Sequence, residues 1–226
     1  MIHLERVTSV LHSGTTGTIV LNDVSIKLPT FERFVILGRE GSGKTTLIRL
    51  LSGLSLPMSG VITRYARVSF PVGFMGGYKR ALSVRENVAH VARLYGAEVN
   101  QVVEFVSELT GLGFALRDLY EQLPYQNRVR LAYAVSYAIP FDVYLIDNKI
   151  AAGGTAFRQR CERIFEARAN RSGFILATNM PSYAKMFANK GAILHNGKIV
   201  LYDDLDRAIC DFDRLGNTSV PMGIET

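Results

Sequence analysis

The sequence predicts an α/β fold on a mostly parallel sheet, with a helical block inserted between two of its strands. Three observations carry this. The run "RFVILG" passes through a glycine-rich stretch straight into "KTTLIRLLSGL", whose apolar residues recur at helical spacing, so strand, loop and helix form one unit. Two further buried-strand candidates, "DVYLID" and "GFILAT", flank the helix candidate "TAFRQRCERIFEARAN", the crossover a parallel pair requires. Between about residues 82 and 138 the apolar period is helical.

In chain order, the alternation in "IVLNDVSIKL" suits a strand, and the continuous apolar "RFVILG" suits one buried on both faces and therefore central. The helical block divides into "SVRENVAHVARLYG", "VNQVVEFVSELTGLG" and "NRVRLAYAVSYAI". After "GFILAT", the stretch "GAILHNGKIVLY" reads as a hairpin turning at Asn196-Gly197, a pair suited to a two-residue turn. The tail "NTSVPMGIET" is expected to be loose. These elements form a single domain, with a core over about 1–80 and 140–215 and a helical subdomain over about 82–138.

Composition narrows the function classes. The 226 residues suffice for one sizeable α/β domain with a proper core. Cys161 and Cys210 lie far apart without metal-ligand spacing and read as two reduced thiols. No apolar run reaches the roughly 18 to 20 residues that span a bilayer, and "MIHLERVTSV" lacks a signal-peptide core, so the chain is expected to stay in the cytosol. A net charge of +6 without an Arg/Lys run interleaved with aromatics argues against nucleic acid as a partner.

The chemistry concentrates in "GREGSGKTT", residues 38 to 46, which matches G-x-x-x-x-G-K-[ST], the Walker A phosphate loop or P-loop, in its strand-to-helix context. Gly38, Gly41 and Gly43 permit close backbone approach, so successive N–H groups across Arg39, Glu40 and Ser42, with the helix N-terminus at Thr46, can surround phosphate oxygens. Lys44 would neutralise the β- and γ-phosphates, and the Thr45 hydroxyl would ligate Mg²⁺. Asp147, closing "VYLID", could hold the same cation through a water.

Taken together these stretches resemble the nucleotide-binding subunit of an ATP-binding-cassette (ABC) transporter over essentially the whole chain. Three of them, "PVGFMGGYKRALSVRENVAHVARLYG", "RLAYAVSYAIPFDVYLID" and "NKGAILHNGKIVLYDDLDRAI", look like the branch that exports capsular and related cell-surface polysaccharides. The resemblance implies a parallel or mixed core sheet, an antiparallel β subdomain and an inserted helical subdomain. It also implies ATP and Mg²⁺ as cofactors, and an integral-membrane permease docked against the helical region near Lys79. Head-to-tail pairing with a second ATP-binding subunit, identical or different, and residence on the cytoplasmic face of the inner membrane follow as well.

Against that family the catalytic positions are replaced. "LPYQN", Leu123 to Asn127, stands where the family has LSGGQ. Pro124 has no hydroxyl, and Tyr125 and Gln126 put side chains where bare backbone approaches phosphate, so the segment reads as a structural turn in which Asn127 can cap the following helix. The magnesium-facing glutamine falls on Lys79, which is either a solvated loop charge or a partial substitute for the metal that pairs with phosphate. Asn179 replaces a γ-phosphate-sensing histidine, Gly154 an aspartate, and Asn148 the general base. The stretch "TSVLHSG" offers no tyrosine to stack on adenine; its His12 is either an exposed loop histidine or the nearest candidate to lie on adenine.

An asparagine at 148 can orient water but cannot accept its proton at neutral pH, and loss of a general base costs roughly 10²- to 10⁴-fold in rate. The expectation is therefore an ATP-binding subunit that hydrolyses weakly or not at all and binds Mg²⁺ more weakly than its family. The alternative is an active ATPase working with a catalytically complete partner. A soluble P-loop kinase or GTPase is disfavoured, since "IDNKIAA" lacks the aspartate of a base-reading N-K-x-D and no arginine-rich lid is evident.

Overall fold

In a computed structural model, residues 1–13 and 16–217 are described, with the side chains of residues 12, 13, 16, 114, 216 and 217 outside that description. The strands are β1 (Ile2–Ser13), β2 (Thr16–Leu28), β3 (Arg33–Leu37), β4 (Ser59–Arg64), β5 (Val68–Pro71), β6 (Val143–Asp147), β7 (Gly173–Thr178), β8 (Lys190–His195) and β9 (Lys198–Tyr202). The helices are α1 (Lys44–Ser52), α2 (Val84–Leu94), α3 (Val99–Thr110), α4 (Tyr125–Ala138), α5 (Thr155–Ala169), α6 (Pro181–Lys185) and α7 (Leu205–Asn217).

The main sheet has the order β5-β6-β7-β3-β8-β9. Its pairs are parallel from β5 to β8, and β9 returns antiparallel to β8. β3 lies inside this sheet with both faces covered. Phe34 and Ile36 pack towards α1 and the antiparallel strands, Val35 and Leu37 towards the helical block, and that double burial is why "RFVILG" is apolar without alternation. β6 and β7 divide their residues between the same two clusters, with Val143, Leu145, Ile175 and Ala177 on one side and Tyr144, Ile146, Phe174 and Leu176 on the other. The β8–β9 hairpin turns at Asn196 and Gly197, whose φ values of 48° and 76° are the left-handed pair that the turn needs.

A second sheet, β2-β1-β4, is antiparallel. The Asn22 amide donates to the Gly197 carbonyl at 2.8 Å, tying this sheet to the hairpin. Arg64 on β4 donates to the Leu50 and Leu51 carbonyls at 2.6 and 2.7 Å, placing a cation on the exposed carbonyls that end α1. The second sheet thus braces the helix that follows the phosphate loop.

β1 carries residues 8–13 of the "TSVLHSG" stretch. Its alternation is interrupted by register shifts between Leu4 and Val7 and between Val7 and Ser9, with Arg6 at φ 50°, which hides the strand from a period-two reading. The expected cap at Asn127 is corrected: the cap lies three residues earlier, at an extended Pro124 with no side-chain hydrogen bond, and α4 starts at Tyr125. The Pro124 carbonyl takes the Asn127 and Arg128 amides at 2.9 and 3.1 Å, so Asn127 already lies within the first turn.

Candidate functional site

The site forms at the C-terminal ends of β3, β6 and β7, the edge at which α/β sheets hold ligands. The loop after β3 opens with the Gly38 amide donating to the Thr178 carbonyl at 3.1 Å, and it curls so that the Ser42 amide reaches the Arg39 carbonyl at 3.1 Å. Gly43, at φ 96°, turns the chain into α1, and a Cβ there would stand 2.1 Å from Val20 Cγ1. Thr46 lies in the first turn of α1.

The Lys44 side chain is buried and folds back over its own loop, where Nζ donates to the Gly38 and Arg39 carbonyls at 2.8 and 2.7 Å. Burial lowers its pKa, against partial support from the carboxylates of Asp147 and Glu40. An ammonium drawn out of water and held over a curled loop suits a polyphosphate. Arg39 stacks over the Phe212 ring of α7 at 5.5 Å. The Ser42 hydroxyl is buried without a hydrogen-bond partner.

Thr45 Oγ1 donates to Asp147 Oδ2 at 2.7 Å, while Asp147 Oδ1 is buried with no partner. One hydroxyl and one half-satisfied carboxylate fit a magnesium ion that draws its other ligands from water and phosphate. No group of three or more His, Cys, Asp or Glu that could hold a metal by itself occurs among the described residues.

Asn148 follows directly, exposed and at φ 66°, with its amide donating to the Ala177 carbonyl at 2.8 Å. Asparagine tolerates this left-handed conformation better than most residues. Asn179 is exposed next to Thr178, whose carbonyl anchors Gly38. The structure therefore gathers Gly38–Thr46, Asp147, Asn148 and Asn179 along one edge. Lys79 sits on the loop after β5, exposed, with its backbone held by the buried Asn87, which accepts from the Lys79 amide at 2.7 Å and donates to its carbonyl at 3.0 Å. The His12 side chain lies outside the described residues.

At the segment Leu123–Asn127, the Arg128 side chain donates to the Leu123 and Glu121 carbonyls at 2.9 and 2.6 Å and covers the Tyr120 ring, so the turn is held from within. Several supporting residues have no linear motif: Asn87, the hydroxyls of Tyr133, Ser136, Tyr137 and Tyr183, and Arg130, whose Nε is buried without a partner. Asn87 alone had a readable signal, a polar residue on the stripe formed by Val84, Val88 and Val91.

The family described as "ABC transporter" matches residues 21–151. The chain is 35% identical to "ATP-binding protein BexA" of Haemophilus influenzae, covering 92% of this chain and 96% of that protein. It is likewise 35% identical to "Capsule polysaccharide export ATP-binding protein CtrD" of Neisseria meningitidis, over 92% and 96% of the two chains. "Polysialic acid transport ATP-binding protein KpsT" of Escherichia coli is 33% identical over 95% and 99%. Among solved structures, the dimeric post-hydrolysis state of the ATP-binding cassette MJ0796 bound to ADP and Pi superposes with a TM-score of 0.70 at 17% identity, covering 88% of this chain and 96% of that one.

Proposed function

Because the chain belongs to the ABC transporter family, we propose that it is the ATP-binding subunit of an exporter of cell-surface polysaccharide that binds ATP through its phosphate loop and hydrolyses it weakly or not at all. One observation carries the reading. Lys44, Thr45 and Asp147 stand assembled beside a position, Asn148, that offers an amide where attack on the γ-phosphate needs a base. The cargo class rests on the names of the relatives that align over nearly their full length.

In this reading Gly38–Thr46 cradle the triphosphate. Lys44 pairs with its β- and γ-oxygens, and Thr45 with Asp147 holds Mg²⁺, which when bound supplies charge neutralisation between the phosphates. Mg²⁺ binding is weakened in this reading, because the family's ligating amide falls in sequence on Lys79, whose ammonium has donors only.

Partner docking has physical support close by. Leu54, Phe70, Phe74, Tyr78, His90 and Leu94 line a groove between β5, α2 and the Lys79 loop, and Leu56 and Met58, near its Leu54 edge in sequence, are 87% and 74% exposed. Such a surface suits an integral-membrane permease. No helix among the described residues is long and apolar enough to cross a membrane, so in this reading the chain lies on the cytoplasmic face of the inner membrane through that partner. It pairs with a second ATP-binding subunit, identical or different.

The test is ATP binding by the purified chain with and without Mg²⁺, alongside Lys44→Ala. Binding that Mg²⁺ alters little and that Lys44→Ala weakens by roughly ten- to a hundredfold, the range of a charged hydrogen bond, is expected. Binding that is indifferent to Lys44 would remove the proposal.

A further inference from the structure

The segment 148–154 between β6 and α5 is irregular, yet Ile150 and Ala151 are buried, so its peptide groups need partners that neither sheet nor helix provides. Three tyrosine hydroxyls serve. Tyr137 on α4 donates to the Ile150 carbonyl, Tyr133 one turn earlier donates to the Lys149 carbonyl at 3.4 Å, and Tyr183 on α6 accepts from the Ile150 amide at 3.3 Å. Burial raises the pKa of Tyr133 to about 12 and lifts those of Tyr137 and Tyr183 as well, so all three stay neutral at working pH.

The same helix holds a second loop. Ser136 Oγ, fully buried, accepts from the Gly73 amide at 3.1 Å and donates to the Ala132 carbonyl at 2.8 Å. The Tyr133 ring lies against Gly73, where an added Cβ would come within 2.6 Å of it. Gly73 begins the stretch that leads to Lys79, whose backbone Asn87 then fixes. None of these residues hydrogen-bonds to the phosphate loop, residues 38–46, in the described structure.

We propose that α4 is a yoke: through Tyr133, Ser136 and Tyr137 it holds the backbone that follows Asp147 and the stem of the Lys79 loop in one mutual relation, making the three positioning residues for both loops. It rests on the reading above in that both loops face one bound triphosphate. The signature of a yoke is a crossed effect. Ser136→Ala touches only the Gly73 side, and Tyr137→Phe only the Ile150 side, yet each must loosen the loop that it does not touch.

Hydrogen exchange by mass spectrometry on the full chain tests this, with ATP affinity measured on the same samples. Ser136→Ala is expected to speed exchange in 148–154, and Tyr137→Phe in 72–78, by roughly three- to tenfold, the ratio that one neutral hydrogen bond supports. Exchange in α1 and β3 should stay unchanged, and Mg²⁺-free ATP affinity should stay within about twofold, because the bonds of Lys44 are untouched. If each substitution loosens only its own loop, or if exchange rises uniformly along the chain, the yoke is refuted. Should Ser136→Ala fail to fold, Tyr183→Phe, which reaches Ile150 from α6, must loosen 72–78 in the same way. Absence of ATP binding by the unmodified chain would end the functional reading alone, since the crossed effects are read without nucleotide.

Discussion

Two residues, Gly43 and Asn148, set what the site can do. Gly43 cannot carry a side chain, because a methyl group would meet Val20 Cγ1 at 2.1 Å on a backbone at φ 96°. Gly43→Ala is expected to cost about 2 to 3 kcal/mol in urea denaturation and to abolish ATP binding. Asn148 holds a left-handed backbone and offers an amide in place of a carboxylate. A glutamate would have to adopt the left-handed backbone at φ 66°, so Asn148→Glu is expected to lower stability by about 1 kcal/mol. The same variant should leave phosphate release near the unmodified level, because Pro124 has no hydroxyl and Tyr125 and Gln126 put side chains where bare backbone would approach and stabilise the transition state. A gain of about a hundredfold or more from that one change would mean that only the base was missing. These positions were readable in sequence because the loop is contiguous and its glycines, lysine and threonine keep fixed spacing. What Arg130 does was not readable, since its partner lies on another element, and the α2 stripe marked Asn87 without showing that it holds the Lys79 backbone.

At the scale of elements, α2 and α5 differ at their N-termini. α2 has a full capping box: Ser83 Oγ accepts from the Glu86 amide at 3.2 Å and the Glu86 carboxylate accepts from the Ser83 amide at 2.8 Å. The Ser83 hydroxyl also donates to the Glu86 carboxylate at 2.6 Å. This bond, with that from the Ser83 amide, lowers the Glu86 carboxyl pKa, so their contribution is present at neutral pH and fades as pH falls through the lowered pKa. Ser83→Ala is expected to cost about 1 kcal/mol at pH 7 in thermal unfolding, with the gap to the unmodified chain narrowing in acid. α5 has no side-chain cap: Gly154 occupies the position in an extended conformation, φ −64° and ψ 157°, and a Cβ there would sit 3.8 Å from Arg130 Nη2. Gly154→Asp would cap the helix and give Arg130 a carboxylate, and it is expected to stabilise the chain by about 1 kcal/mol, seen as a raised unfolding temperature. The long helices were legible because each repeats its apolar residues over several turns. The start of α4 was misplaced because Asn127 is a better capping residue by type than Pro124, while the backbone began the helix at the proline.

For the whole molecule, the central sheet was legible where strands are buried on both faces, as in β3, β6 and β7, since such strands are continuously apolar. The antiparallel sheet was harder to see in the residues themselves. β1 is broken by register shifts, while β4 leaves most of its residues exposed and takes its place from pairing with β1, distant in sequence. The result is a fold that keeps Lys44, Thr45 and Asp147 assembled, with an asparagine following the aspartate. Binding and turnover should therefore separate, and measuring both on one preparation, with and without Mg²⁺, is the most direct check. ATP retained through Lys44 with phosphate release no greater than that of Lys44→Ala is the expected result. Brisk phosphate release that disappears with Lys44 would show that water is activated at this site after all.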